Sequence, residues 1–507
     1  MKRICALLFS ASLTAGVASA EQDTFFTGDG HSGPYAAPGP NTIINGYATV
    51  TSARSPGDRT IPVSNEVPFS INDLVMIVQT AGYVPAPDAG TPGPFDISGD
   101  PTGRWELARV ASVSAGVLNL TQPLLRSYAA TGTQVIKIPE YTTLTVPAGA
   151  SLIASTWDGS KGGVLAFLAR DSVVNNGLIS ATAAGFRGGI FVNDDRPGQI
   201  LGCTAMDELP IDGGQKGEGI STSRYGPAFA GRGNVANGAG GGDCHNSGGG
   251  GGGNGGSGGQ GGFSWSLDQS RDVGGLGGGS LRYSLSDHLT LGGGGGAGHG
   301  NDNAQSSGGR GGGAIFIRGG SMPDGGVIAA NGQNAPNALA NDGVGGGGGG
   351  GTIYLRFAGP VACSTVTASG GNGGSVPVAQ HGPGGGGGGG RILLQGTDTS
   401  GCPASVFSGI AGTQSDPNAL GGPHYGAQPS ANDVPGYVGT VETLPGAFTP
   451  TPGGVNAPYL AGSCGCRAGP LGPVGAIVPL FLAIAAFLLL KGNATRRSGW
   501  RPRPRRW

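Results

Sequence analysis

Four cysteines in the middle of the chain are the clearest candidates for chemistry. Of the 7 cysteines, Cys5 lies in an N-terminal leader and two lie near the C-terminus, which leaves Cys203, Cys244, Cys363 and Cys402. An even number in an exported chain predicts disulfides, and none of the four has the C-x-x-C spacing of a zinc site. Three pairings are open. Pairing of sequence neighbours would close two loops of about 40 residues, each worth roughly 3–4 kcal/mol.

Acidic residues and histidines show no arrangement typical of an active site. Enzymes that cleave polysaccharides need carboxylates or basic residues that converge on one surface. The repeats at 311–396 contain only Asp324 and Asp342 as acids, and the histidines are scattered at positions 31, 245, 288, 299, 381 and 424. No Gly-Lys-Ser/Thr motif and no evident nucleophile elbow occurs. We therefore predict no catalytic residue, no cofactor site and no metal site.

Two aspartate pairs and one short segment are weaker candidates. Calcium could bind near Asp194 and Asp195 or near Asp96 and Asp100, but the glycine runs lack the aspartate of the calcium-binding nonapeptide. Solvated aspartates in turns are the favoured interpretation. The segment VNDDRPG at 192–198 is the cluster that most resembles a catalytic one. We do not expect it to be an active site.

The elements that must position any site are indicated by a repeat. Segments that begin at Gly311, Gly349 and Gly388 each contain a glycine run, an I-x-I/L strand, a turn and a second short strand. An earlier copy spans 162–185, and 186–310 is a glycine-rich insertion. A fixed period of strand pairs predicts a stack in which each unit buries its face against its neighbours. We predict a right-handed parallel β-helix-like solenoid.

The register of this stack follows from the first strand of each repeat. Ile315, Ile353 and Ile392 are separated by 38 and 39 residues. Arg318 and Arg356 also match, although the third copy has Gln395 at that position. An arginine ladder on one face could bind an acidic glycan. Solvated strand ends are the favoured interpretation.

Glycine runs are the most unusual feature, since glycine accounts for 109 of 507 residues. A glycine in a regular element costs about 0.5–1 kcal/mol relative to alanine, so seven in succession need a reason. One interpretation is flexible loops. The favoured one is polyglycine II, which has the geometry of polyproline II with three residues per turn and can pack through N–H···O and Cα–H···O contacts. G-x-G-x-x-G matches arise here from composition alone.

The region before the repeats has a different pattern. Apolar strands recur at spacings of about 8–15 residues between Gly, Pro and Asn, as in NTIINGYATV, INDLVMIVQTAG and GRWELARVASV. This pattern predicts a compact β-sandwich or barrel, with ARVASV and AGVLNL as a hairpin. The expected fold is thus all-β, with an N-terminal sandwich or barrel-like domain at 41–155 and a glycine-rich solenoid at 156–445.

Charge excludes one class of partner. The chain contains 29 basic residues. Lys2, Arg3 and the eight after Cys464 lie in the two end segments, which leaves 19 in the middle region. Against 30 acidic residues, the middle region carries a net charge of −11. Nucleic acid and anionic lipid both require basic surfaces, so we expect no nucleic-acid partner.

Both ends look like targeting signals. The first 20 residues have a basic start, an apolar run and an A-x-A-like site ending at Ala20, which predicts a secretory signal peptide, followed by a linker at 21–40. After a linker at 446–463, residues 464–507 contain Cys464 and Cys466, about 17 apolar residues and an arginine-rich tail. This order predicts a single transmembrane helix with its tail in the cytoplasm.

Two resemblances to myxobacterial proteins add to this interpretation. The C-terminal segment resembles the MYXO-CTERM sorting signal, in which the cysteine motif marks processing by a membrane protease and display at the cell surface. An ordinary single-pass anchor is the alternative.

The segments QVIKIPEYTTLTV, WDGSKGGVLAFLA and GAGGGDCHNSGGGGGG, with those quoted for the N-terminal region, resemble myxobacterial secreted proteins of the adventurous gliding motility type. That resemblance spans most of 40–400. It implies a cell-surface or envelope protein associated with motility or adhesion. Because no catalytic arrangement is found, we expect a structural or adhesive protein that is not an enzyme, with a surface glycan or envelope protein as partner. A polysaccharide lyase or hydrolase is the alternative.

Overall fold

Stacked and paired β-strands make up nearly all regular structure in this computed structural model. It describes residues 25–64, 68–194, 205–208, 213–243, 245–263, 274–303, 306–377, 381–414 and 439–450. Within these ranges the only helical element is a 3-10 turn at Thr222–Arg224. The strands are β1 Tyr35–Ala36, β2 Gly46–Thr49, β3 Thr60–Pro62, β4 Leu74–Gln79, β5 Phe95–Asp96, β6 Trp105–Ser114, β7 Val117–Leu120, β8 Thr133–Ile138, β9 Glu140–Val146, β10 Ser151–Ile153, β11 Val164–Ser180, β12 Leu281–Arg282, β13 Ala314–Gly319, β14 Gly325–Ala329, β15 Thr352–Phe357, β16 Thr365–Thr367, β17 Arg391–Gln395, β18 Ala404–Ser405 and β19 Thr440–Leu444.

The repeats form a parallel stack, as the sequence predicts. One ladder runs β11, β13, β15, β17, β19, and a second runs β11, β14, β16, β18. Ile315, Ile353 and Ile392 lie directly above one another, so the register predicted from their spacing is confirmed. The early copy is one long strand, β11, where the sequence indicates two. β9 pairs with β11, and β1 pairs with β9 in the same parallel sheet, so the stack includes residues well before the boundary expected at residue 156.

Alternation along each strand produces two apolar layers. Ile315, Ile353 and Ile392 face the second ladder, where Ile328 and Val366 pack against them. Their neighbours along the strands, such as Phe316 and Tyr354, point the other way. Because both faces of the first ladder are buried, its strands are apolar at nearly every position.

The N-terminal strands form a six-stranded antiparallel sheet in the order β2-β8-β4-β6-β7-β3. Val50, after β2, bridges Val63, after β3, so the two edges of the sheet meet as in a barrel. The hairpin predicted at β6–β7 is present, and its turn residues Ala115 and Gly116 both have positive φ, at 47° and 77°. One face of the sheet packs on the stack, with Trp105 against Phe316 at 4.9 Å between ring centroids.

The glycine runs form a bundle beside the stack, which we call the glycine bundle. Its members are 185–189, 213–219, 238–243, 247–253, 256–262, 274–279, 292–300, 306–313, 330–335, 343–351, 368–374, 382–390 and 406–412. The expected insertion at 186–310 supplies most of these runs. Nearly all of their glycines are buried.

Hydrogen bonds in the bundle repeat every three residues. In the run 345–351, successive N–H groups donate in turn to three different neighbours: Gly346 and Gly349 to 292–300, Gly347 and Gly350 to 382–390, and Gly348 and Gly351 to 330–335. This is the three-residue period of polyglycine II. None of these glycines has a φ in the left-handed region, so conformational freedom is not why glycine is needed here.

Close approach of neighbouring backbones is the reason. A Cβ added to Gly348 would lie against the carbonyl oxygen of Arg310, and one added to Gly387 against the carbonyl oxygen of Gly348. Both separations are well under 3.0 Å, closer than Cβ atoms in proteins approach other heavy atoms. The described runs are therefore ordered, and the flexible-loop interpretation is wrong for them.

A disulfide joins two successive repeats. Cys363 and Cys402 are bonded, 39 residues apart, which confirms one of the predicted neighbour pairs. Cys203 and Cys244 lie outside the described residues, as do Ala20, Cys464, Cys466 and the apolar C-terminal segment. No helix among the described residues is long and apolar enough to span a membrane.

Candidate functional site

One surface of the glycine bundle carries a regular array of polar side chains. Three runs lie side by side there, at 331–337, 369–375 and 407–413, and we call this surface the ladder face. Asn331, Asn334 and Asn337 lie three residues apart on the first run, and the equivalent positions recur 38 residues later in the next run.

Side-chain oxygens connect the rungs of this face. The backbone N–H of Asn372 donates to Oδ1 of Asn334 at 2.8 Å, and the N–H of Ile410 donates to Oδ1 of Asn372 at 2.9 Å. In the next column the N–H of Ser375 donates to Oδ1 of Asn337 at 2.8 Å. Each amide oxygen thus satisfies an outward-facing backbone donor that the edge of the bundle would otherwise leave to water.

A groove of about 530 Å³ lies in the ladder face. It is lined by Asn334, Ala335, Pro336, Asn337, Asn372, Gly373, Ser375, Ile410, Ala411 and Thr413, none of which is charged. The apolar side chains are unusually open for their size: Ile410 is 71% exposed, and Phe407, three residues earlier on the same face, is 66% exposed. Ile410 and Phe407 thus offer apolar surface to a ligand beside the polar side chains of this face.

A second candidate is a cluster of ionisable groups at the first rung of the stack. Asp29, His31 and Glu140 bring potential metal-ligand atoms within 4.8 Å of one another. His31 Nδ1 is 2.6 Å from Oδ1 of Asp29 and 3.4 Å from Oε2 of Glu140. Arg109, from β6, donates to both carboxylate oxygens of Glu140. We call these four residues the first-rung cluster.

Burial separates the two carboxylates of the first-rung cluster. The Glu140 side chain is fully buried, and burial raises its pKa despite the Arg109 guanidinium. Burial also acts to raise the pKa of Asp29, but hydrogen bonds from His31 and the charge of Arg109 outweigh it and hold that pKa below its usual value. A pair of carboxylates with pKa values shifted apart is the arrangement that acid–base catalysis uses.

The geometry of the first-rung cluster favours an internal ion pair over a metal site. The Arg109 guanidinium occupies both oxygens of Glu140 and lies 3.6 Å from Asp29, which is the position a cation would take. Glu140 also accepts the backbone N–H of Asp29 at 3.1 Å. With its side chain fully buried and bonded in this way, Glu140 offers no free oxygen to a substrate.

A third buried group of charges lies at the edge of the glycine bundle. Lys216 is fully buried, and its Nζ donates to the carbonyl oxygens of Met206, Gly231 and Gly233. Burial lowers its pKa to about 8. Burial raises the pKa of the neighbouring Asp243 to about 8, and the negative charge of Glu208 adds to this effect. Lys216 thus binds backbone groups at the edge of the bundle, and neither Lys216 nor Asp243 lines the groove.

The arginine ladder exists, but Arg318 in it is buried and Arg356 is only partly exposed. Arg318, Arg356 and Gln395 align in register. Arg318 is completely buried, with its guanidinium 4.9 Å from the ring of Phe316 and 5.3 Å from that of Trp105. The expectation of a solvated strand end is therefore wrong for Arg318. A stack of cations against aromatic rings in the interior offers Arg318 no route to an external glycan.

The predicted aspartate candidates are scattered. Asp194 is buried, with Oδ2 3.3 Å from Nε2 of His299, and Asp195 lies outside the described residues. Asp96 and Asp100 accept hydrogen bonds from residues two positions later, which is the usual behaviour of turn aspartates. Asp342 is buried and accepts the backbone N–H groups of Asn301 and Asp302.

Sequence inspection missed both candidate sites for different reasons. The ladder face has a visible signal, because NGQNAPN at 331–337 aligns with SGGNGGS at 369–375 and repeats polar residues at every third position. The first-rung cluster has none, because Asp29 and Glu140 are 111 residues apart.

Comparisons with known proteins identify no family. No family model matches the chain, and no curated protein matches it. Among solved structures, the tailspike of Acinetobacter baumannii bacteriophage AP22, in complex with A. baumannii capsular saccharide, is 10% identical with a TM-score of 0.17, over 75% of this chain and 59% of the tailspike. The tailspike gp61 of Pseudomonas phage phi297 is 11% identical with a TM-score of 0.15, over 78% and 58%. TM-scores this low do not establish a common fold, and the chain spans little more than half of each tailspike.

Proposed function

We propose that the chain is a structural or adhesive protein of the cell surface, in which the glycine bundle forms a rigid spine. The observation that carries this proposal is the bundle itself. Its runs are buried and bonded to neighbours in three directions, and they leave almost no side chain for chemistry. A segment held in this way presents little extended backbone to a protease, which suits a protein that functions outside the cell.

Targeting signals support the same location. The leader and the MYXO-CTERM-like C-terminal segment would export the chain and display it at the cell surface, with a final or transient attachment through the apolar helix. The resemblance to gliding motility-type proteins supports a role in adhesion or motility of a myxobacterium.

Peptide mapping of the protein from intact cells tests this proposal. After mild surface proteolysis, we expect the body of the chain to be cut from the cells and the remaining chain to end near Cys464. A chain that retains Trp507 and is protected from added protease would indicate an inner-membrane protein that faces the periplasm. That result would overturn surface display.

The alternative function, a polysaccharide lyase or hydrolase, is favoured by one observation. The first-rung cluster places two carboxylates and an imidazole together. If it were catalytic, Asp29→Asn and His31→Ala would abolish release of reducing or unsaturated sugar ends from polysaccharide while leaving the unfolding temperature close to that of the wild type. Equal or zero activity in the wild type and both variants would remove this alternative.

A further inference from the structure

We propose that the groove in the ladder face binds a linear, uncharged polysaccharide. This proposal deepens the adhesive function and rests on it. It assigns recognition to the glycine-rich solenoid and not to the N-terminal sheet.

The donors that face the groove are the first argument. Asn334, Asn337 and Asn372 are exposed, and the Oδ1 atom of each is occupied by a backbone N–H of the next rung. The amide orientation is therefore fixed, and each Nδ2 points two donor hydrogens away from the rung. No described residue accepts a hydrogen bond from these three Nδ2 atoms. Hydroxyl oxygens of a sugar are suitable acceptors.

The regular spacing of these donors indicates that the ligand is a polymer. Residues three apart on a polyglycine-II run are separated by about 9 Å, because each residue rises 3.1 Å. Neighbouring rungs lie about 4.8 Å apart. Asn334, Asn337 and Asn372 thus occupy points of a repeating grid, and a ligand with hydroxyl groups at regular intervals can engage several points at once. Multiple weak contacts along one chain add up to useful affinity.

Charge and apolar surface define the ligand class further. None of the groove residues is charged, so neither a uronic acid nor an amine would gain an ionic partner. The open faces of Phe407 and Ile410 can pack against the C–H face of a sugar ring, which would remove apolar surface from water. Phe407 has the larger of these two side chains, and that side chain takes no part in the hydrogen bonds that connect the rungs of the ladder face.

Binding isotherms of the full-length protein on amorphous cellulose and colloidal chitin, with alginate as an acidic polymer, test the proposal. We expect saturable binding to at least one neutral polymer and no binding to alginate at physiological salt. Phe407→Ala should weaken binding about five-fold, and the double variant Asn337→Ala/Asn372→Ala at least ten-fold. Asn176→Ala changes an exposed amide of β11, and Ile71→Ala changes an exposed aliphatic residue of the N-terminal region. Both should leave binding unchanged.

Each contrary result has a distinct meaning. Neutral-polymer binding that neither groove variant weakens would place the glycan elsewhere and overturn the groove. The same holds for a preference for alginate or for no binding to either neutral polymer. If the double variant fails to fold, Phe407→Ala still tests the proposal, because the Phe407 side chain is largely exposed and its loss should not disturb the fold. Loss of surface display in the peptide-mapping experiment would overturn the proposed function whatever the binding assays show.

Discussion

The N-terminal sheet is packed through apolar side chains, whereas the glycine bundle is packed through main-chain atoms. In the sheet, apolar side chains fill the interior, and Val75, Ile77 and Val135 are completely buried. In the bundle, backbones approach so closely that no side chain fits between them. The sheet is stabilised chiefly by burial of apolar surface, whereas the bundle depends on backbone hydrogen bonds and Cα–H···O contacts.

This difference reverses the effect of adding or removing one methyl group. A side-chain core loses stability when it is made smaller, and it relaxes partly around the gap. A backbone bundle loses stability when anything is added, because the atom in the way is another main chain that is itself bonded. Glycine also loses the most conformational entropy on ordering, so the bundle depends on the surrounding stack.

Addition of one methyl group inside the bundle should have the largest effect. For Gly348→Ala, we expect a loss of more than about 3 kcal/mol or failure to fold, above the usual 1–3 kcal/mol of overpacking, since the obstacle is a main-chain carbonyl. Denaturant unfolding followed by circular dichroism measures it. Gly39→Ala is the matched control, because an added Cβ there meets nothing within 4 Å and φ is not in the left-handed region. Equal stability of the two variants would mean that the bundle is not closely packed.

Removal of the disulfide between repeats should have the next largest effect. The double variant Cys363→Ser/Cys402→Ser opens a loop of 39 residues, and we expect a loss of about 3–4 kcal/mol from release of the unfolded chain. Thermal unfolding of the variant and of oxidised wild type gives this value, and wild type in the presence of reductant should behave like the variant. A reduced wild type that is as stable as the oxidised protein would show that the stack alone holds the repeats.

Lowering the pH should stabilise the folded chain through Asp243, which lies at the edge of the glycine bundle. Burial raises its pKa to about 8, so between about pH 4 and pH 8 the folded chain holds a proton that the unfolded chain releases. This contribution to stability is complete below about pH 4 and is lost as pH rises through 8. Even one pKa unit of the shift corresponds to about 1.4 kcal/mol.

The test of this pH dependence is the substitution Asp243→Asn, which keeps the shape of the protonated acid. Relative to wild type, we expect the variant to be only slightly more stable at pH 5 and much more stable at pH 8, because the wild type loses stability progressively between about pH 4 and pH 8. Asp324→Asn, at an exposed turn, is the control. A wild type-to-variant difference that is the same at both pH values would contradict the buried, protonated state.

Removal of one methyl group from the N-terminal sheet should have the smallest effect. We expect Ile77→Val to cost about 0.5–1.5 kcal/mol, because the side chain is fully buried but its neighbours can adjust. The same denaturant experiment measures it. A cost equal to that of Gly348→Ala would erase the proposed difference between the two regions.

Local pattern was enough to predict much of this fold. The spacing of Ile315, Ile353 and Ile392 predicted both the stack and its register, because parallel rungs of equal length place equivalent residues in line. The three-residue period of polyglycine II could likewise be expected from uninterrupted glycine. The pairing of Cys363 with Cys402 was only one of three possibilities until the stack brought the two residues together.

Contacts between distant segments escaped prediction. Arg318 was expected at the surface, yet Trp105 of β6 and Phe448 near the end of the described chain lie against its guanidinium. The first-rung cluster combines Asp29, Arg109 and Glu140 from three separate segments. Neither arrangement leaves a periodic trace in the sequence, because each depends on how the N-terminal sheet docks on the stack.

The sequence by itself determined the all-β character, the repeat length and the places where no side chain could stand between neighbouring backbones. These properties follow from residue type and spacing along the chain. Only the tertiary structure decided which glycine runs become neighbours, which charges lose their water and which face of the solenoid keeps an open groove. Those outcomes depend on packing between segments far apart in sequence, where burial changes what the same side chain can do.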